Sequence, residues 1–403
     1  MDEPRARELA DLYCNELVER VIPFWEHRSP APDRTGFFSC FDRQGTLYDT
    51  NKYVWLQGRF VWMFCRIYND LEPRQGWLEA ARHGLEFINR HCFDENGRMY
   101  FAVSEHGQRL TRPWGIFSEC FTICALAQYA RATGDDAPVR QARQLLDRTL
   151  EMARRPDLDT LSYPENPPMI THAIPMILLN VIQELRAVEE DTAYEQISDE
   201  MLHRILDLHA HPDQRTLFEN VRPDGTFVNT PDGRVINPGH ALESAWFLLH
   251  EARYRSDDTI RDRTVAIIEW SLERGWDDEY GGLLYFLDSG GFPSPYLEWD
   301  MKLWWVHIEA LYAVLLAHHL TGREDLLEWF ERIHTWTWEH FPDPEGGEWF
   351  GYLSRTGKPA LTLKGSMWKG FYHLPRGLLL ISELLDEMTG RTDLRCPHRY
   401  CPR

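Results

Sequence analysis

Gly347-Glu-Trp-Phe-Gly-Tyr-Leu-Ser-Arg-Thr-Gly357, leading into Tyr372-His373-Leu-Pro-Arg376, sets the layout on which the fold turns. A Gly-led run of alternating apolar residues meets a tight Gly turn, which signals a hairpin, and an apolar helical segment with a polar residue near its start follows. The same layout recurs along the chain. Its hairpin part reads Gly36-Phe-Phe-Ser-Cys-Phe-Asp-Arg-Gln-Gly45, Gly97-Arg-Met-Tyr-Phe-Ala-Val-Ser-Glu-His-Gly107, Gly225-Thr-Phe-Val-Asn-Thr-Pro-Asp-Gly233 and Gly282-Leu-Leu-Tyr-Phe-Leu-Asp-Ser-Gly290. The helical part reads Gly58-Arg59-Phe-Val-Trp, Ser118-Glu119-Cys-Phe, Gly239-His240-Ala-Leu-Glu243 and Val306-His307-Ile-Glu309-Ala. His172-Ala-Ile-Pro-Met176 fits between them without a hairpin of its own.

Consecutive polar anchors are about 55 to 67 residues apart, so six equivalent positions result. Amphipathic segments lie between them, among them the run from Asp262 to Gly275, which ends in Arg and Gly as a helix stop does. Each unit therefore reads as one outer helix with a wet face, a hairpin loop and one inner helix apolar on most sides. Six such units closing on themselves predict an all-α fold, an (α/α)6 barrel, as a single domain over residues 1–403 with a tail at about 391–403. An open solenoid of helix pairs would need neither such long loops nor a polar residue at the start of each most-buried helix.

Composition narrows the partners. Forty-three Lys and Arg against 63 Asp and Glu give a formal charge of −20, the wrong sign for a phosphate backbone or an anionic membrane. No apolar run spans a bilayer, and Met1 to Trp25 is charged and amphipathic, a helix rather than a signal core. Eight cysteines scattered mostly through apolar stretches suit a reduced, cytoplasmic protein. The tail pair Cys396 and Cys401 has no second pair to complete a zinc site.

In a closed toroid the anchors converge at one end of the central cavity, where a site belongs. A histidine at the start of a buried helix is ordinarily structural, and an arginine there pairs with a carboxylate. The set changes the balance: Arg59, Glu119, His172, His240, Glu243, His307, Glu309 and His373 would be costly to bury together without partners or a ligand. His240 with Glu243, and His307 with Glu309, resemble metal-ligand pairs, but no HExxH is present, and a metal centre ranks below metal-free acid–base chemistry. There is no phosphate-binding loop and no Gly-x-Ser-x-Gly elbow, and Cys120 and Cys124 read as core. Histidines facing a pocket with a guanidinium suit proton transfer beside a carbonyl, the guanidinium stabilising the resulting enediolate.

Several stretches resemble the N-acylglucosamine 2-epimerase (renin-binding protein) family: Lys52-Tyr-Val-Trp-Leu-Gln-Gly-Arg59, Ile116-Phe-Ser-Glu-Cys-Phe121, Asn237-Pro-Gly-His-Ala-Leu-Glu-Ser-Ala-Trp246, Met301-Lys-Leu-Trp-Trp-Val-His-Ile-Glu-Ala310 and Trp368-Lys-Gly-Phe-Tyr-His-Leu-Pro-Arg376. The resemblance implies the same barrel and the interconversion of N-acetyl-D-glucosamine and N-acetyl-D-mannosamine, by ring opening and proton exchange at C2. It implies His240 and His373 as the acid–base pair, Arg59 near the sugar oxygens, and Glu243 and Glu309 orienting histidines or hydroxyls. Trp246 and Trp305 fall where aromatic residues line the sugar pocket; Glu119, His172 and His307 complete the expected substrate-binding set. It further implies a homodimer, chemistry without a cofactor, and in some members ATP as an activator that is not consumed. Where the family pattern has Trp-Trp-Pro-His, this chain has Trp304-Trp-Val-His307. The alternatives are a 2-epimerase or aldose–ketose isomerase for an unacetylated sugar (mannose, glucose or cellobiose), then a glycoside hydrolase using Glu119, Glu243 or Glu309. A non-enzymatic binding protein ranks lowest.

Overall fold

The computed structural model describes residues 1–33, 35–155 and 168–391. Its helices come in outer and inner pairs. The first outer helix is α1 (Glu3–Glu16), a π-helical turn at Leu17–Val21 and α2 (Ile22–Arg28); its inner partner is α3 (Val54–Asp70). The pairs α4 (Gln75–His91) with α5 (Phe117–Thr133) and α6 (Asp136–Ala153) with α7 (Ala173–Arg186) follow. Next come α8 (Thr192–His203), prolonged by a π-helical turn at Arg204–His209, with α9 (Pro238–Arg255), then α10 (Asp258–Gly275) with α11 (Trp304–Thr321). The last pair is α12 (Glu324–His340) and α13 (His373–Thr389).

Inner and outer helices differ as their sequences require. Outer helix α4 buries one stripe, Trp77, Ala81, Gly84, Leu85 and Ile88, and turns Arg82 and Glu86 to water. Inner helix α11 is buried without a break from Trp304 to His318, because helices enclose it on every side. Each large apolar side chain so buried contributes about 1.5–3 kcal/mol before the entropy of ordering is subtracted. The ring closes where the segment leading into α13 meets α3 and α5: Phe371 packs on Phe64 at 5.1 Å, and Tyr372 on Trp62 at 5.1 Å and Phe121 at 5.3 Å. The expected (α/α)6 barrel is the fold observed.

Connections at the two ends are unequal. Inner helices α5 and α11 stop at Gly134 and Gly322, both in the left-handed region, and the next outer helix starts almost at once, α6 with Asp135 capping its first turn. All long loops lie at the opposite end. There the strands depart from the expected local hairpins. Cys40–Phe41 with Leu47–Asp49, and Tyr352–Leu353 with Pro359–Leu361, do form hairpins. Four other strands, each directly before an inner helix, pair instead with a strand of the next long loop: Lys52–Tyr53 with Ala102–Val103, Ile170–Thr171 with Asn220–Val221, Val235–Ile236 with Leu287–Asp288, and Lys302–Leu303 with Tyr352–Leu353. Two-residue strands are too short to persist as isolated hairpins, so they stitch neighbouring units together around the rim.

The cysteines from Cys14 to Cys124 form no disulfides, and no helix among the described residues is long and apolar enough to cross a membrane. Cys396, Cys401 and the expected tail beyond residue 391 lie outside the described residues.

Candidate functional site

The first turns of α9, α11 and α13 bring His240, Trp305 and His373 together. Pro238 opens α9 and Asn237 caps it by accepting from the His240 amide, which fixes where the imidazole leaves the helix. The Trp305 indole lies beside both imidazoles, 5.5 Å from the His240 ring and 5.6 Å from that of His373. A Cβ at Gly239 would fall 2.5 Å from Trp305, so only glycine lets the indole sit there.

The two histidines have different surroundings. His240 faces Glu219, whose carboxylate oxygens lie 3.0 and 3.1 Å from Nδ1. Burial lowers the His240 pKa, but the Glu219 charge and hydrogen bond outweigh it, so His240 titrates above the usual histidine range. On the other partner, burial pushes the Glu219 carboxyl up, and the charge and hydrogen bond of His240 bring it down to about 2. His373 donates from Nδ1 to Glu309 at 2.8 Å, but Arg376 Nη2 stands 3.3 Å from the same nitrogen. Burial first, then Arg59, Arg376 and His240, hold the His373 imidazole well below its ordinary range despite the opposing pull of Glu243. With both Nδ1 atoms engaged, each Nε2 is left without a hydrogen-bond partner among the described residues.

Beneath His373 lies a buried ionic knot. Arg376 Nη2 donates to Glu243 at 2.5 Å and to Glu309 at 2.6 Å, its Nη1 to the Tyr372 hydroxyl at 2.9 Å, and Trp246 Nε1 to the other oxygen of Glu309 at 2.7 Å. Glu243, Glu309 and His373 offer ligand atoms within 4.8 Å of one another, a possible cation site by donor type. The Arg376 guanidinium already stands among those atoms and supplies the positive charge, so the residues present do not fit a metal ion.

Arg59 enters from α3 inside a cage of rings, its guanidinium 4.2 Å from the Trp55 ring centroid, 4.1 Å from Phe121 and 4.6 Å from Tyr372. No carboxylate pairs with it among the described residues, and its buried Nε makes no hydrogen bond. Burial lowers its pKa to about 10, against the raising influence of Tyr372, Glu243 and Glu309. A desolvated cation held by aromatic faces is short of acceptors, and a ligand oxygen would supply one.

The expected residues thus divide. Arg59, His240, Glu243, Trp246, Trp305, Glu309 and His373 form one connected group. His172 sits behind it: Nε2 meets Ser244 Oγ of α9 at 3.1 Å, its backbone amide donates to the Glu219 carbonyl, and burial lowers its pKa to about 4. Glu119 points away, accepting from the Met99 amide at 3.0 Å and Arg98 at 3.2 Å. His307 is also outside the group. Nδ1 donates to the Leu303 carbonyl at 2.8 Å, Nε2 accepts from the Leu283 amide at 2.9 Å, and the ring stacks on Trp336. Burial holds its pKa near 3. Cys120 and Cys124 are buried core thiols with pKa values pushed far up by burial.

Sequence reasoning missed Glu219 and Arg376. Glu219 lies in a loop between short strands, where no helical period marks it. Arg376 did carry a signal, three residues after His373 on the same helix face.

The family model for N-acylglucosamine 2-epimerase (GlcNAc 2-epimerase) matches residues 36–376. The chain is 38% identical to the N-acylglucosamine 2-epimerase of Bos taurus over 97% of this chain and 94% of the relative, and 38% identical to that of Homo sapiens over 93% and 90%. Among solved structures, the cellobiose 2-epimerase of Spirochaeta thermophila superposes with a TM-score of 0.82 at 22% identity, covering 96% of this chain and 98% of that one. On the strength of these matches the chain belongs to the N-acylglucosamine 2-epimerase family.

Proposed function

We propose that the chain interconverts N-acetyl-D-glucosamine and N-acetyl-D-mannosamine, with His240 and His373 as the two acid–base groups. The observation that carries this reading is the pair of unpartnered Nε2 atoms flanking the Trp305 indole, with opposite protonation preferences. The curated relatives named for the same reaction support the substrate.

The open-chain aldose places C2 between the two imidazoles and its C1 oxygen toward Arg59. Neutral His373 takes the C2 proton on Nε2, the C–H electron pair becomes the C1–C2 double bond and the carbonyl pair moves onto the C1 oxygen, giving an enolate that faces the Arg59 guanidinium. Protonated His240 then delivers its Nε2 proton to the opposite face of C2, the carbonyl re-forms and the configuration is inverted. The proton left on His373 returns to His240 through solvent, which restores the starting state. In the other direction the roles exchange. Glu309 holds the His373 tautomer, and Glu243 keeps one oxygen on Arg376 and turns the other toward the substrate hydroxyls. The steps use protein groups alone.

Hydrolysis fits less well. It needs two carboxylates placed independently on either side of a glycosidic bond, and Glu243 and Glu309 are both tied to one guanidinium. The test is incubation with N-acetylmannosamine, mannose or cellobiose in deuterated water, followed by NMR. The proposal expects N-acetylglucosamine carrying deuterium at C2; a ketose product, or turnover of the unacetylated sugars alone, would overturn it. We also propose a single-domain homodimer acting in the cytoplasm, on family precedent and the unbridged cysteines, with ATP as an unconsumed activator. Sedimentation, and turnover with and without ATP while ADP is monitored, test those parts.

A further inference from the structure

The enolate is flat at C2, and that flatness restricts where each substituent can go. With one imidazole on each face, the three groups on C2 lie in the plane between them. Trp305 lies beside both imidazoles and therefore borders that plane. Arg59 comes from α3, three inner helices around the ring from α9, and takes the C1 oxygen on the far side. Two substituents remain. The C3 tail is hydroxylated and calls for hydrogen-bonding partners, whereas the substituent on nitrogen ends in a methyl group, which suits an indole face.

Tyr285 stands over this face, its ring perpendicular to that of Trp305 with 6.0 Å between centroids. Its backbone is fixed by a hydrogen bond from its amide to the Trp299 carbonyl at 3.1 Å, and its ring lies against Phe286 at 3.9 Å. The Tyr285 side chain is half-buried, and its hydroxyl makes no hydrogen bond to the described residues and stays open to solvent. A hydroxyl that no protein group holds is free to donate to the amide carbonyl of a ligand.

We propose that Trp305 and Tyr285 form the seat of the 2-acylamino group, with the acyl methyl against the indole and the Tyr285 hydroxyl donating to the acyl carbonyl oxygen. This rests on the N-acetyl sugar reading above and adds which residues read the acetyl group. The seat distinguishes acylated from plain sugars because a 2-hydroxyl reaches neither the indole face nor the phenol.

The experiment is Y285F, which keeps the ring on Trp305 and removes only the hydroxyl. For N-acetylmannosamine, kcat/KM falls about five- to tenfold, chiefly through KM, as expected for one lost hydrogen bond. Unchanged kcat/KM in a folded Y285F overturns the seat and leaves the substrate reading intact. Failure of the unaltered enzyme to turn over any N-acetyl sugar, with mannose epimerised, overturns both. Should Y285F misfold, competition on the unaltered enzyme decides: N-acetylmannosaminitol inhibits at least about tenfold better than mannitol, and equal inhibition refutes the proposal.

Discussion

Glu219 meets His240 with both carboxylate oxygens, at 3.0 and 3.1 Å from Nδ1, and it is the main charge, ahead of Glu243, that keeps this partly buried imidazole protonated against desolvation. The sign follows from the direction of the shift. A raised pKa means the imidazolium is present below that pKa and lost above it, so the step that needs a proton from His240 fails on the alkaline side. In E219Q the strongest influence opposing desolvation is gone and only Glu243 remains, so the alkaline limb of the kcat/KM profile moves to lower pH. Activity on the alkaline side falls about ten- to a hundredfold, the usual cost of losing a partner that orients an imidazole. A profile that keeps its alkaline limb in E219Q would show that the pair has no catalytic part.

The two-base arrangement separates exchange from inversion. With His240→Asn the neutral His373 can still take a C2 proton and return a deuteron to the same face. Epimerisation then falls by about 10²- to 10⁴-fold, while one epimer alone gains deuterium from the solvent without inverting. His373→Asn reverses which epimer exchanges. Loss of exchange from both epimers in both variants would point to a single-base mechanism.

Arg376 neutralises two carboxylates that are themselves buried, Glu243 and Glu309. R376M leaves both without a cation, and breaking such a group costs about 3–5 kcal/mol. Urea unfolding reports the loss. The same change opens the three ligand atoms of Glu243, Glu309 and His373 to a divalent ion, so zinc raises the midpoint of R376M and leaves that of the unaltered protein in place. No zinc response would mean that the knot collapses without the guanidinium.

At Gly239 the inner helices α9 and α11 approach closely, with Trp305 against the glycine backbone. G239A inserts a methyl where the indole lies, and the relief is a displaced Trp305. Overpacking of this kind costs about 1–3 kcal/mol of stability. It lowers kcat by at least about tenfold, because a wall shared by both imidazoles moves and reacting groups tolerate little misplacement. Normal kcat in G239A would show that Trp305 does not set the spacing of the histidines.

The spacing of polar anchors made the barrel legible, because each inner helix must start with a residue the core would reject. It could not give the facing of each anchor. A helix turns about 100° per residue, so Trp305, Glu309 and Tyr312 share the face toward the cavity while His307 lies about 200° away from Trp305. Glu119 stands in the same relation to Phe121, which packs on the Arg59 guanidinium. An anchor two residues out of phase keeps the period and leaves the site. Glu219 has the opposite property, inside the site and outside the period, since a loop pinned by the Glu219 amide to the Val235 carbonyl places it there.

His307 turns that distinction into an experiment. Its ring donates to one backbone carbonyl, accepts from one backbone amide and stacks on Trp336 at 4.8 Å, so no nitrogen remains for a sugar. In H307L the Leu283 amide is left buried without an acceptor, at a cost of about 1–3 kcal/mol. Urea unfolding shifts accordingly, while kcat and KM stay within about twofold once the protein is folded. The opposite result, a folded H307L with a large rise in KM, would mean that the ring turns toward the cavity when sugar binds, against two hydrogen bonds and a stacked indole.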